Sequence, residues 1–391
     1  MSVEVRPSSR DSPGSTASLR TQNLRRVLDV LRDAGSDAVT QADLTRTTGL
    51  AAGTVSSIVR ELSAALIVDT VAGSGRRGTT VRLARGAGLV GGVDFGHSHL
   101  RVAIGDMAGT ILAERTVPLA SGHDHEEGLG RAVTLLDELL AEIDADRSEL
   151  RNIGLGLPAP ISDDVVMSSA ILPGWVGVNA RQATTRHFGR AVQLDNDANL
   201  GALAEHRHGA GRGVANMVFV KVSSGVGAGL ILGDRLYRGA TGISGEIGHL
   251  TVDDQGPLCR CGSRGCLETY TASTTAPRML AEQMPGATLD DIVEAARAGN
   301  PAALRVFEDA GVHLGWGLAA LSNVINPELI VVGGDMARAG DLFLEPARTG
   351  LRRHVLADAA ATPVVAAELG DRASAIGAML LASDATDLLA D

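Results

Sequence analysis

At 391 residues and a net charge of −11, the chain is too long for one ordinary domain and too acidic for wholesale nucleic-acid binding. No window approaches the roughly 18 apolar residues that cross a bilayer, and no N-terminal run resembles a signal peptide, so a cytoplasmic protein with reduced thiols is expected. The charge is uneven: residues 1–86 hold 12 Arg against 8 acidic residues, a local +4 that leaves −15 for the remainder.

Residues 1–18 are polar, rich in Ser and Pro and without periodicity, the composition of a disordered lead-in. Thr21 is placed to cap a helix carrying Leu24, Val27, Leu28 and Leu31 on one face, and Gly35 stops it. A second short helix opens at Thr40, where Asp43 fits a capping box. It ends at "TTGL", and a third helix follows with Val55, Ile58, Val59 and Leu62 inward. Three short helices with a Gly turn before the third are a helix-turn-helix pattern. "LIVDTV" and "TTVRLA" alternate like two strands, which makes the unit, 19–86, a winged variant with Arg76 and Arg77 at the wing tip. The outward face of the third helix offers Thr54, Ser56, Ser57 and Arg60 to a major groove, and the wing arginines suit phosphate or a minor groove. Double-stranded operator DNA is the partner this implies. Ala51 and Ala52 stand where a recognition helix normally opens on a capping Ser or Thr.

From Leu89 the texture becomes α/β. "LVGGVDFG" and "LRVAIGDMAGTILAERTVPL" read as strands, 128–146 as an amphipathic helix, and "NIGLGLPAPI" as a buried strand entering a Pro-bounded loop. "AVQLDNDANLGALAEHRHG" is a strand, an acidic turn and a helix; "MVFVKVSSGVGAGLILGDRLY" is two strands about a Gly turn; "PELIVVGGDMA" feeds a Gly-Gly loop. Two similar halves emerge, 87–208 and 209–370, with a C-terminal helix in 371–391 returning to the first and a site expected between the lobes.

All three cysteines fall in "CRCGSRGC", a spacing that suits a metal better than a disulfide. Cys259, Cys261 and Cys266 supply three thiolates, and His249 in "GEIGHLTV" is the nearest imidazole to complete a tetrahedral zinc site. Four protein ligands make such a zinc structural. A clamp there would also hold the carboxylates of Glu246 and Glu268 rigidly, as good acceptors for sugar hydroxyls.

The stretch "EIGHLTVDDQGPLCRCGSRGCLE" resembles the signature of the ROK family of repressors, uncharacterised reading frames and sugar kinases, and the resemblance covers nearly the whole chain. It implies a two-lobed actin-like ATPase/sugar-kinase fold with one structural zinc. It also implies a sugar held by Asn196, Asp197, Glu246, His249 and Glu268, with the zinc-bound histidine itself touching the sugar. The family's repressors carry the preceding winged helix-turn-helix, and its kinases lack it. Asp197 in "DNDAN" matches the catalytic base of the kinases. "SSGVGAG", with Gly225 and Gly227, resembles the second phosphate loop, and "VVGGDMA", with Gly333 and Gly334, the region beside adenosine. The first phosphate loop departs from the Asp-x-Gly-Gly-Thr of the kinases. Asp94 and Gly96 persist in "DFGHSHL", but His97 and Ser98 replace the Gly-Thr pair and put bulk where backbone should hug phosphate.

Three other features are weighed as bystanders. "GHDHEEG" reads as a solvated loop, His206 and His208 as surface, and Trp175 as either a sugar-stacking platform or a packing anchor. The resulting expectation is a sugar-responsive DNA-binding regulator of carbohydrate-utilisation genes, a repressor acting as a homodimer or higher oligomer, with one zinc per chain. The alternative is an ATP- and Mg²⁺-dependent hexose kinase using Asp197.

Overall fold

The structure, a computed structural model, describes residues 16–35, 37–71, 78–120, 122–167 and 171–389. Its N-terminal unit runs helix Thr16–Asp33, strand Val39–Thr40, helices Gln41–Thr48 and Ala52–Ala64, then strands Val68–Val71 and Thr80–Leu83. The last strand lies between the other two, antiparallel to both, and this order of elements is that of a winged helix-turn-helix. The expected apolar stripes are its core: Leu24, Val27, Leu28, Leu31, Leu44, Val55, Ile58, Val59 and Leu62 are all buried.

Local details differ from the sequence reading. The first helix starts at Thr16, so Thr21 lies inside it and residues 16–18 of the expected lead-in are helical; no Gly or Pro between Thr16 and Thr21 interrupts its propagation. Residues 1–15 lie outside the described residues, as do Arg76 and Arg77 of the wing. Thr40 does cap the second helix, its Oγ1 accepting from the Asp43 amide at 3.1 Å. The Asp43 carboxylate in turn accepts from the Thr40 hydroxyl at 2.6 Å. Gly49, at φ 68°, closes that helix in the left-handed region, and the third helix opens at Ala51 with no side-chain cap.

The body contains two five-stranded sheets of identical plan. In the first, Ile111–Pro118, His99–Asp106 and Leu89–Phe95 form an antiparallel meander, and Leu150–Leu157 and Val192–Asn196 extend it in parallel. The second repeats this with Arg235–Tyr237, Val226–Leu232, Met217–Val222, Leu329–Gly333 and Val364–Ala366. Such duplication places the carboxyl ends of the parallel strands of both sheets toward a shared cleft, the usual place for a ligand in open α/β sheets. No helix among the described residues is long and apolar enough to cross a membrane.

Two helices join the halves. Asp197–His208 is buried along nearly its whole length, and Ala373–Asp384 crosses it while covering the first sheet. Small residues make this possible. A Cβ at Gly377 would lie 1.9 Å from the Leu200 carbonyl oxygen, and one at Gly154 would lie 1.9 Å from that of Ala378. The helix Ala373–Asp384 is thus seated backbone against backbone.

The N-terminal unit is docked on the far end of this same helix. Arg32 donates to the Thr386 carbonyl at 2.6 Å, Arg25 pairs with Asp387 at 2.8 Å, and Arg207 lies between Asp384 (2.8 Å) and Asp33 (3.9 Å). His206 and His208 belong to this junction rather than to open surface. The first faces Asp234 at 3.4 Å, and the second packs against Gly35 and Gly109. The "GHDHEEG" loop is also drawn inward. Asp124 caps a helix that begins at His125 and ends at Glu142, and His123 is buried and stacked on Phe95 at 5.9 Å. Trp175 is fully buried edge-on to the same phenylalanine, which makes it a packing anchor and removes it as a sugar platform.

Candidate functional site

A cleft of about 740 Å³ opens between the lobes. Asn196, Asp197, Glu246, His249 and Glu268 all line it, together with Gly96, His97, Ser98, Gly225 and Gly227. Asp94 lies just beneath, 1% exposed. Gly333 and Gly334 stay out of the lining. The first packs on Phe219, the second turns at φ 87° beside Ser223, and the residue this turn carries into the cleft is Asp335.

The "DNDAN" motif divides its work by position. Asp195 is tied to Asn199 at 2.8 Å and to Arg238 at 2.7 Å. Asn196 caps the following helix, its Oδ1 accepting from the Ala198 amide at 2.8 Å and the Asn199 amide at 3.4 Å. That leaves Asp197, in the first helical turn, facing the cleft. Its Oδ2 accepts from Lys221 Nζ at 2.8 Å. Burial, partly offset by Lys221 and reinforced by the charge of Asp94, raises the Asp197 carboxyl above its ordinary range.

Glu246 also lines the cleft, and the nearest basic side chain to it among the described residues is His249, whose Nε2 is 3.9 Å away. Burial pushes its carboxyl up to about 7, with the charges of Asp197 and Glu268 adding to the shift. Glu268 is buried and already engaged, accepting from Arg260 Nε at 2.7 Å and from the Val226 amide at 3.1 Å. Arg260 also donates to the Ser224 carbonyl, so it ties the cysteine loop to the glycine-rich turn.

The ligand atoms of His249, Cys259, Cys261 and Cys266 all lie within 4.8 Å of one another. His249 Nδ1 is 3.8 Å from Cys259 Sγ, and Cys261 Sγ is 3.7 Å from Cys266 Sγ. A tetrahedron with bonds of about 2.3 Å, the zinc–thiolate length, has edges of about 3.8 Å, so the donor set fits a tetrahedral cation of that size. The imidazole orientation also fits: Nδ1 faces the thiols, and Nε2 faces Glu246. Burial, reinforced by the neighbouring thiols, pushes Cys266 up to about 12. Joint ionisation of the three therefore requires a cation among them.

At the first phosphate loop the obstruction differs from the one expected. His97 lines the cleft, its Nδ1 lying 3.4 Å from the Ile171 carbonyl oxygen. It is His99 that covers Gly96, since a Cβ there would sit 2.1 Å from the imidazole, whose Nε2 is 3.9 Å from Asp94. The sequence reading passed over His99, Arg260 and the site role of Lys221. Lys221 alone left a trace, as the only lysine in the chain. The face assigned to DNA is available: Arg60 is exposed, and Thr54, Ser56 and Ser57 are half-buried.

The sequence model described as ROK family matches residues 90–385. The chain is 28% identical over 394 residues to a putative xylose repressor of Caldicellulosiruptor sp. (strain Rt8B.4), covering 94% of this chain and 97% of that protein. It is 33% identical over 311 residues to a glucokinase of Halalkalibacterium halodurans, covering 73% of this chain and 92% of the glucokinase. Among solved structures, a ROK family transcriptional regulator homologous to the E. coli MLC protein matches with a TM-score of 0.76 at 25% identity, over 93% of this chain and 96% of that one.

Proposed function

The chain belongs to the ROK family, and from that premise we propose that it is a sugar-responsive DNA-binding transcriptional regulator, a repressor of carbohydrate-utilisation genes. The observation that carries this reading is the reach of the helix Ala373–Asp384. At its start, Ser374 Oγ donates to the Asp197 carbonyl at 3.0 Å and accepts from Lys221 at 3.0 Å. At its end, Asp384 and the residues just beyond it hold the helix-turn-helix through Arg207, Arg32 and Arg25. A sugar that draws the lobes together around Asp197 would move one end of this rod and so bias the seat of the DNA-binding unit. By linkage, sugar and operator then change each other's affinity by the same factor.

In this reading the sugar hydroxyls meet Asp197, Glu246, Glu268 and the Nε2 edge of His249, with Asn196 presenting the strand end. A zinc ion held by His249, Cys259, Cys261 and Cys266 has no open position for water and serves to fix that wall. Thr54, Ser56, Ser57 and Arg60 contact base edges, and Arg76 and Arg77 contact phosphates. The half-site logic of helix-turn-helix proteins calls for a homodimer. Similarity to a repressor along nearly the whole chain supports this reading over that of a kinase, whose similarity leaves a quarter of the chain unaccounted for. The kinase alternative also needs a free backbone amide at Gly96, and that amide already donates to the His99 carbonyl at 2.8 Å.

The test is a gel shift of the purified full chain on the DNA upstream of its own gene, with a panel of neutral sugars. A specific shift released by one sugar is expected. No specific shift under any condition would remove the regulator, and ADP release lost in Asp197→Asn would put the kinase in its place.

A further inference from the structure

The chain contains 34 arginines and a single lysine, and that lysine stands in the cleft. Lys221 lies on strand Met217–Val222, paired in register with Gly227 on one side and Gly333 on the other, so neither neighbouring strand crowds its side chain. Its ammonium donates to Asp197 and to Ser374, and Asp94 stands close enough for its charge to act on both Asp197 and Lys221. Asp94 is 1% exposed, and its Oδ1 has no hydrogen-bond partner among the described residues. That oxygen lies over Gly156, where a Cβ would be 3.4 Å from it and 3.8 Å from the Asp197 Cα.

Two buried carboxylates facing one space need a cation. Phosphoryl-transfer sites meet that need with a divalent metal ion that bridges to phosphate. Lysine can take the same position because its ammonium is a compact point charge with three donors. We propose that Lys221 is a tethered cation standing where a divalent metal ion would otherwise sit between Asp94 and Asp197, so that the cleft takes up an uncharged sugar without metal or nucleotide. This deepens the regulator reading above and rests on it. With its Oδ2 held by the ammonium, Asp197 orients a sugar hydroxyl instead of removing its proton. Burial opposes the charge on Lys221, but Asp197 and Asp94 outweigh it and raise its pKa, which keeps the ion permanent.

Manganese binding tests the idea without reference to DNA or sugar. Zinc-loaded full-length protein is titrated with Mn²⁺, and the free-ion signal is followed by electron paramagnetic resonance. The wild type is expected to leave the signal unchanged through millimolar Mn²⁺. K221M is expected to take up about one equivalent, and the further change D197N to abolish that uptake. The charge-preserving K221R should exclude Mn²⁺ as the wild type does, which separates the role of the charge from mere packing. A wild type that binds one Mn²⁺ lost in D197N overturns the proposal whatever the fate of K221M, and so does a folded K221M that binds none. Sugar-released DNA binding by a protein that also takes up Mn²⁺ would keep the regulator and sink only the tethered cation.

Discussion

At the scale of single residues, the site is a set of charges whose neighbours decide what each can do. Asp195, Asn196 and Asp197 are adjacent in sequence, yet one is locked to Asn199 and Arg238, one caps a helix, and one faces the cleft. The cysteine loop works similarly: three thiols and His249 Nδ1 converge, and Glu246 and Glu268 flank the loop they close. Replacing Cys266, which is fully buried in that cluster, removes a donor no neighbour can supply. Cys266→Ala should lower metal content from about one zinc per chain to none by elemental mass spectrometry. Sugar affinity by calorimetry should fall in the same variant, because the segments that carry Glu246 and Glu268 lose the clamp between them.

At the scale of elements, the decisive feature is how closely the helix Ala373–Asp384 sits. Its carbonyl at Ala378 occupies the space a side chain would need at Gly154, and its Gly377 clears the Leu200 carbonyl. Overpacking of this sort ordinarily costs ~1–3 kcal/mol. Gly154→Ala meets backbone rather than a flexible side-chain end, so a loss at the upper end of that range is expected in urea unfolding. Because the displaced helix carries Ser374, the same variant should bind sugar more weakly. Unaltered stability would mean that the helix is free to shift and cannot act as a rod.

At the scale of the whole molecule, a basic module is held on an acidic body by arginines reaching across the junction. Arg207 is central, bound through both terminal nitrogens to Asp384 at 2.8 Å and lying 3.9 Å from Asp33 of the first helix. It is remote from the cleft lining, so Arg207→Ala separates binding from transmission. Sugar affinity should stay within about twofold of the wild type. The effect of sugar on DNA affinity, about 5–150-fold for typical allosteric coupling, should shrink several-fold in gel-shift titrations. Equal coupling in wild type and variant would place the route from sugar to DNA elsewhere.

Much of this was legible in the chain alone, because local rules sufficed. Periodicity exposes the helices of the N-terminal unit, the glycine after "TT" marks the turn, and eight residues holding every cysteine announce a cluster of metal-ligating donors. Such signals depend on neighbours a few positions apart, and the chain carries them whatever its fold. What depends on contacts between distant segments was not legible. That His99 rather than His97 covers Gly96, that Trp175 and His123 pack inward on Phe95, and that Lys221 reaches Asp197 across 24 positions follow from strand register and lobe packing. The sequence by itself determined the parts, since composition and spacing dictate helix faces, turns and donor sets. Only the tertiary structure decided their connection, because the helix that reaches from cleft to DNA-binding unit owes its place to glycines more than 200 residues away in sequence.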